Sequence, residues 1–261
     1  MPERWRAARG IAVLWAVARP FGFRLLVALS CLLSVSMDVH AQTPLLDALK
    51  TQDFELGATL ISAGADVNVP FADGKTALMV VGKRGMSDLV GLLLNAGADV
   101  NATNNNGGTA LMFAAITGDM RTIKLLLNHG AEVDAVGANR WGALMVAAVK
   151  GHSQVVATFL QRGAEPDLPD VYGWTPLMRA SSRNRIATVS LLLEDKRTDI
   201  ARRDDDGATA LHRAAEEGHL QMVELLVELG ADIDALDARG RTAATRASLA
   251  DHPEIVRRLL H

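Results

Sequence analysis

The chain has 261 residues, 27 Lys and Arg against 30 Asp and Glu, a formal net charge of −3 and a single cysteine. One cysteine excludes a disulfide framework and a thiolate metal site. The mildly acidic balance argues against nucleic-acid binding, which needs clustered positive charge.

The first 41 residues read apart from the rest. Arg4, Arg6, Arg9, Arg19 and Arg24 make the start basic, an apolar run occupies 25–35, and Val39-His40-Ala41 offers a cleavage site. This is the layout of an export signal, and the run is shorter than the roughly 20 apolar residues that span a bilayer. A lipid-anchored variant wants a Leu-like residue three before Cys31, where Ala28 stands. Cleavage after Ala41 predicts a periplasmic or secreted protein with no membrane insertion after cleavage. An uncleaved membrane anchor is the alternative. The segment carries five Arg against Glu3 and Asp38, a net of +3, so 42–261 is near −6.

From residue 42 a pattern recurs. Glycines fall at Gly64, Gly97, Gly130, Gly163 and Gly230, and leucines at Leu45, Leu78, Leu111, Leu144, Leu177 and Leu211. The step is 33, with one 34 where a glycine is missing. A fixed period near 33 with a turn and two helices marks a stacked repeat array. The spacing predicts units at approximately 42–71, 72–104, 105–137, 138–170, 171–204, 205–237 and 238–261. Thr43, Thr76, Thr109, Thr175, Thr209 and Thr242 stand where the first helix starts, as N-caps. Alanine pairs let neighbouring helices approach, and Leu triplets at 92–94, 125–127 and 191–193 supply bulk. Arg257 and Arg258 replace more apolar residues in the last unit, as at an end cap.

"GATALHRAAEEGHLQMVELLVELGADIDA" at 207–235 resembles the ankyrin repeat, and the likeness covers roughly 42–261. The resemblance implies an all-α ankyrin-repeat solenoid of about seven helix-turn-helix units with short finger turns. It also implies a protein-binding scaffold, here expected to be a monomer, whose partner is another protein.

Two units depart from the pattern. Arg140 and Gly142 stand where other units have the turn glycine and the N-cap threonine. The turn has an alternative in Gly137 and Asn139. In the next unit, Glu194 to Asp199 ("EDKRTD") replaces the glycine stop, and Asn184-Arg185 replaces Gly-His. The junction near Lys196 and Arg197 is therefore expected to be the weakest of the stack.

Chemistry-bearing patterns resolve into repeat positions. Gly74-Lys75-Thr76 lacks the upstream glycine of a phosphate loop, since Val69 stands there. The stripe Met79, Met112, Met145 and Met178 is spaced too widely to share an ion, because packed helices lie about 8–10 Å apart. Residues 204–207 resemble part of a calcium loop, but Arg202 and Arg213 occupy ligand positions. His212 sits in the family's "TPLH" slot and is expected to bond backbone near the turn. No catalytic constellation, cofactor or metal site is expected.

The aromatic residues are more informative. Trp141, Tyr172 and Trp174 fall in finger turns, at slots the family leaves variable and turned toward ligands. Binding hot spots favour Trp, Tyr and Arg. The slots before the inner turn add Lys83, Arg84, Arg183, Glu216 and Glu217, a groove running from basic to aromatic to acidic. The expected function is an exported scaffold that captures a partner protein on its concave face. Alternatives are an envelope protector that neutralises a toxin or supports a stress-defence enzyme, and a membrane-tethered structural array.

Overall fold

In a computed structural model, residues 44–261 are described and form fourteen α-helices in seven successive antiparallel pairs, with no strand among them. The pairs are α1 (Pro44–Lys50) with α2 (Phe54–Ser62), α3 (Ala77–Gly82) with α4 (Ser87–Asn95), and α5 (Ala110–Thr117) with α6 (Met120–Asn128). They continue as α7 (Ala143–Lys150) with α8 (Ser153–Gln161), α9 (Pro176–Ser181) with α10 (Ile186–Glu194), α11 (Ala210–Glu216) with α12 (Leu220–Glu228), and α13 (Ala243–Leu249) with α14 (Pro253–Leu260). Each predicted unit holds one pair. The expected signal at 1–41 and the Thr43 cap lie outside the described residues.

The caps explain where the first helices start. The Oγ1 atoms of Thr76, Thr109, Thr175 and Thr242 accept from the amides of Met79, Met112, Met178 and Thr245. Thr209 instead shares a capping box with His212. Gly142 supplies no side-chain cap to α7.

Size sorts the two helices of each pair. The first helices bury alanines such as Ala114, Ala115, Ala147, Ala148, Ala214 and Ala215, each fully enclosed. The second helices bury Val, Leu, Ile and Phe159. From unit two onward the first helices of neighbouring units pack together more closely than the second helices do. The Met stripe is core: Met79, Met112, Met145 and Met178 are all buried, filling gaps beneath the fingers. The leucine triplets are less uniform than their sequence suggests. Leu93 and Leu94 are buried while Leu92 is 38% exposed, because three successive helical residues sweep too wide an arc for all to face inward.

Backbone and side chains tie each unit to the next. Along the fingers, the amides of Asn105, Ala138, Val171, Asp205 and Ala238 donate to the carbonyls of Asp73, Asn106, Asn139, Tyr172 and Asp206. At the inner turns, the Nε2–H groups of His152, His219 and His252 donate to the carbonyls of Ile116, Ser182 and Glu216, at 3.1–3.2 Å. Arg185 continues this ladder through Nε to the Val149 carbonyl at 3.0 Å, so the missing histidine is replaced in function. Asn184 takes a φ of +54° in place of the turn glycine.

The finger of unit four closes differently. Arg140 itself adopts the left-handed φ of +60°, and Asn139 adopts it too, while Gly137 stays extended at φ −97°. Of the two residues offered as substitutes, Asn139 is used in the left-handed region and Gly137 is not. A left-handed conformation costs a non-glycine residue about 1–2 kcal/mol. At the equivalent Gly173 and Gly207 an added Cβ would lie against the backbone amide of the next finger.

Candidate functional site: the first-helix groove of units four to seven

Each C-terminal finger opens with an acidic residue whose carboxylate staples its own turn. Asp170 accepts from the amides of Tyr172 and Trp174, Asp204 from those of Asp206 and Ala208, and Asp237 from those of Arg239 and Arg241. Asn104 makes the same two bonds in unit three. Nine residues later, on the first helix, each Asp meets an arginine. Arg179 bonds Asp170, Arg213 bonds Asp204 with Nε at 2.9 Å, and Arg246 bonds Asp237 with Nε at 2.8 Å. The three carboxylates are shielded from solvent on the side-chain side. Burial works against the Asp237 charge, but the Arg241 amide and the guanidiniums of Arg241 and Arg246 outweigh it and hold its carboxyl well below the usual range.

These guanidiniums stack with the finger aromatics. The Arg179 guanidinium carbon lies 5.4 Å from the Trp141 ring centroid and 4.2 Å from that of Trp174. Arg213 lies 4.1 Å from Trp174, so two cations flank one indole. Glu216 then bridges Arg213 at 3.2 Å and Arg246 at 2.9 Å through a single carboxylate oxygen. One wall thus runs Trp141, Arg179, Trp174, Arg213, Glu216, Arg246, across four units.

His212 is fully buried at the floor of this wall. Its Nδ1 accepts from the Thr209 amide at 3.2 Å, which fixes the proton on Nε2 and directs it to the Arg241 carbonyl at 3.0 Å. The expected bond to turn backbone is made, and it reaches into the next unit. Burial, chiefly, pushes the His212 pKa down. Among the described residues no group of three His, Cys, Asp or Glu could hold a metal ion, and no helix is long and apolar enough to cross a membrane.

The sequence model described as "Ankyrin repeats (3 copies)" matches residues 45–137, 78–170, 122–204, 144–237 and 188–261, overlapping windows that together run from 45 to 261. The chain belongs to the ankyrin-repeat family. This ankyrin array is similar to the ankyrin repeat domain of human ASB11, with a TM-score of 0.74, 25% identity, and coverage of 83% of this chain and 98% of that one. It is also similar to the ankyrin repeat domain of Bcl-3, described as a unique member of the IkappaB protein family, with a TM-score of 0.70, 26% identity, and coverage of 83% and 99%. Sequence matches are shorter. Human ankyrin repeat domain-containing protein 49 is 48% identical over 54 residues, 21% of this chain and 23% of that protein. A rice (Oryza sativa subsp. indica) potassium channel, AKT1, is 49% identical over 57 residues, 22% of this chain and 6% of the channel. The chain therefore spans less than a quarter of those relatives' own length.

Within the ankyrin array the residues singled out in the sequence fall into three groups. Trp141 and Trp174 come together on Arg179, half-buried, while Tyr172 is 62% exposed at its fingertip. Arg183 and Glu217 are exposed at the ends of α9 and α11, but Glu216 is held between two arginines. Lys83 and Arg84 lie in unit two, away from the aromatic wall, and Arg84 faces the Phe54 ring at 5.5 Å and Gln52 at 3.4 Å. Arg179 and Arg246, with Asp170 and Asp237, were not singled out, and Asp204 and Arg213 only for their likeness to part of a calcium loop. Their signal was available as an Asp and an Arg nine apart in three successive units.

Proposed function

We propose that this protein is an exported scaffold that captures a partner protein on the concave, first-helix face of its ankyrin array. Ankyrin repeats generally mediate protein–protein binding, and ankyrin-repeat proteins are typically non-enzymatic scaffolds. The observation that carries the reading is the finger pair of units four and five. There an exposed Tyr172 stands beside two half-buried tryptophans whose rings are held in place by Arg179 and Arg213. Rigid aromatic groups with a polar rim are how binding hot spots are built. Trp141, Tyr172 and Trp174 serve as anchors, and Lys83, Arg84, Arg183, Glu216 and Glu217 serve to orient the partner.

The test is a pull-down from the native envelope fraction with mass-spectrometric identification, comparing wild type with Trp141→Ala plus Tyr172→Ala. Capture of the same partner is expected to fall about tenfold or more, the loss of roughly 1.4 kcal/mol or more, with the circular-dichroism melt little changed. Unchanged capture removes the assignment. The export half of the reading has its own check in N-terminal sequencing. A chain beginning at Gln42 supports export, and an intact start in the membrane fraction supports the tethered array instead.

A further inference from the structure

The charge of the groove changes sign within one repeat. The fingers and first helices of units four and five, 138–150 and 170–185, carry Arg140, Lys150, Arg179, Arg183 and Arg185. The same segments hold one carboxylate, Asp170, which is buried and bonded to Arg179. Against a whole-chain charge of −3 this is a local excess of cations. Arg140, Lys150 and Arg183 are exposed. In the next unit the corresponding segment, 204–218, carries Asp204, Asp205, Asp206, Glu216 and Glu217 against Arg213.

Two further observations fall on the same spot. Val136, Val171 and Tyr172 are exposed apolar residues at the fingers of units four and five, at 42%, 45% and 62%. Arg140 holds a left-handed backbone where the fingers of five other units have glycine. Strain kept at an exposed, charged fingertip points to a use for that side chain.

We infer that the groove of units four and five binds an acidic, extended segment of the partner protein. An apolar side chain of that segment sits against Trp141 and Tyr172, and flanking carboxylates pair with Arg140, Lys150 and Arg183. The carboxylates end at the unit six boundary, where Asp205 and Glu217 repel them. The same acidic stretch turns away a long polyanion such as a nucleic acid, which would have to cross it. This inference rests on the protein-binding reading above and specifies the chemistry of its partner.

The experiment is selection of a phage-displayed random dodecamer library on the full-length chain. Selected sequences are expected to be enriched in Asp and Glu around an apolar residue. A synthetic peptide from that pool, followed by fluorescence anisotropy, is expected to bind about tenfold more weakly to Arg140→Gly plus Arg183→Glu, and more weakly as salt rises from about 50 to 300 mM. Arg140→Gly restores the residue of the other fingers, so it tests charge without endangering the fold. The proposal is overturned by absence of enrichment, by selected peptides without acidic bias or rich in Lys and Arg, or by affinity unmoved in the double variant. Non-acidic peptides that still depend on Trp141 and Tyr172 would remove only this inference. Peptides indifferent to Trp141→Ala plus Tyr172→Ala would remove the concave-face reading itself.

Discussion

The Arg213 guanidinium lies 4.1 Å from the Trp174 ring centroid while its Nε donates to the buried Asp204 carboxylate at 2.9 Å. One side chain from unit six thereby packs the aromatic of unit five and neutralises the staple of its own finger. Site and stack share the same contacts in this half of the molecule.

Arg213→Ala leaves the Asp204 carboxylate enclosed and unpaired, still accepting from its own finger's amides. Removing one partner of a buried ion pair costs about 3–5 kcal/mol. The urea midpoint is expected to fall accordingly, with Trp174 emission shifting toward that of a solvated indole. A loss within about 0.5 kcal/mol, the usual range for surface substitutions, would show that the pair is dispensable.

His212 gives the array a pH dependence with a definite sign. Burial depresses its folded pKa below the ordinary value of about 6.5. The neutral ring is the form that both accepts from Thr209 and donates to Arg241. A depressed value means the unfolded chain takes up the proton first. The stabilising contribution is therefore complete above about pH 6.5 and is lost as pH falls from there through the folded value. Melting temperature is expected to decline between about pH 7 and 5, with a shallower decline in His212→Leu from a lower starting stability. Equal slopes in the two proteins would exclude His212 as the source.

Arg140→Gly is expected to raise stability. It relieves about 1–2 kcal/mol of left-handed strain and gives back about 0.4–1 kcal/mol through greater freedom of the unfolded chain. The net gain of about 0.5–1 kcal/mol should appear as a higher melting temperature. A lower one would mean that the Arg140 side chain holds the finger.

The unit five exit should open first. Asp195 closes α10 with its side chain accepting from the Arg197 amide, in place of the left-handed glycine that ends the second helix of units one to four and six. Arg197 reaches the Leu160 carbonyl only at 3.4 Å, and the Thr198 hydroxyl is enclosed without a partner. Amides at 195–201 are expected to exchange with deuterium faster than those at 97–101, the same exit in unit two. Equal protection would show that the substituted turn is as sound as the glycine one.

The repeat length, the helix pairs and the threonine caps could all be read from the sequence. Each depends on contacts within one unit or on a register repeated many times. The aromatic fingers were legible for a similar reason, because a variable slot stands out against a regular background. What the sequence left open were pairings between a finger and a helix nine residues on, and between one unit and the next. Asp170 with Arg179, Trp174 between Arg179 and Arg213, and Glu216 between Arg213 and Arg246 are of this kind. So is Arg185, whose reach to Val149 completes a ladder in which its own unit lacks the histidine. Charge and ring type are written in the chain, but which of them meet is fixed by how far each unit rises and turns upon its neighbour. Only the stacked structure sets that distance.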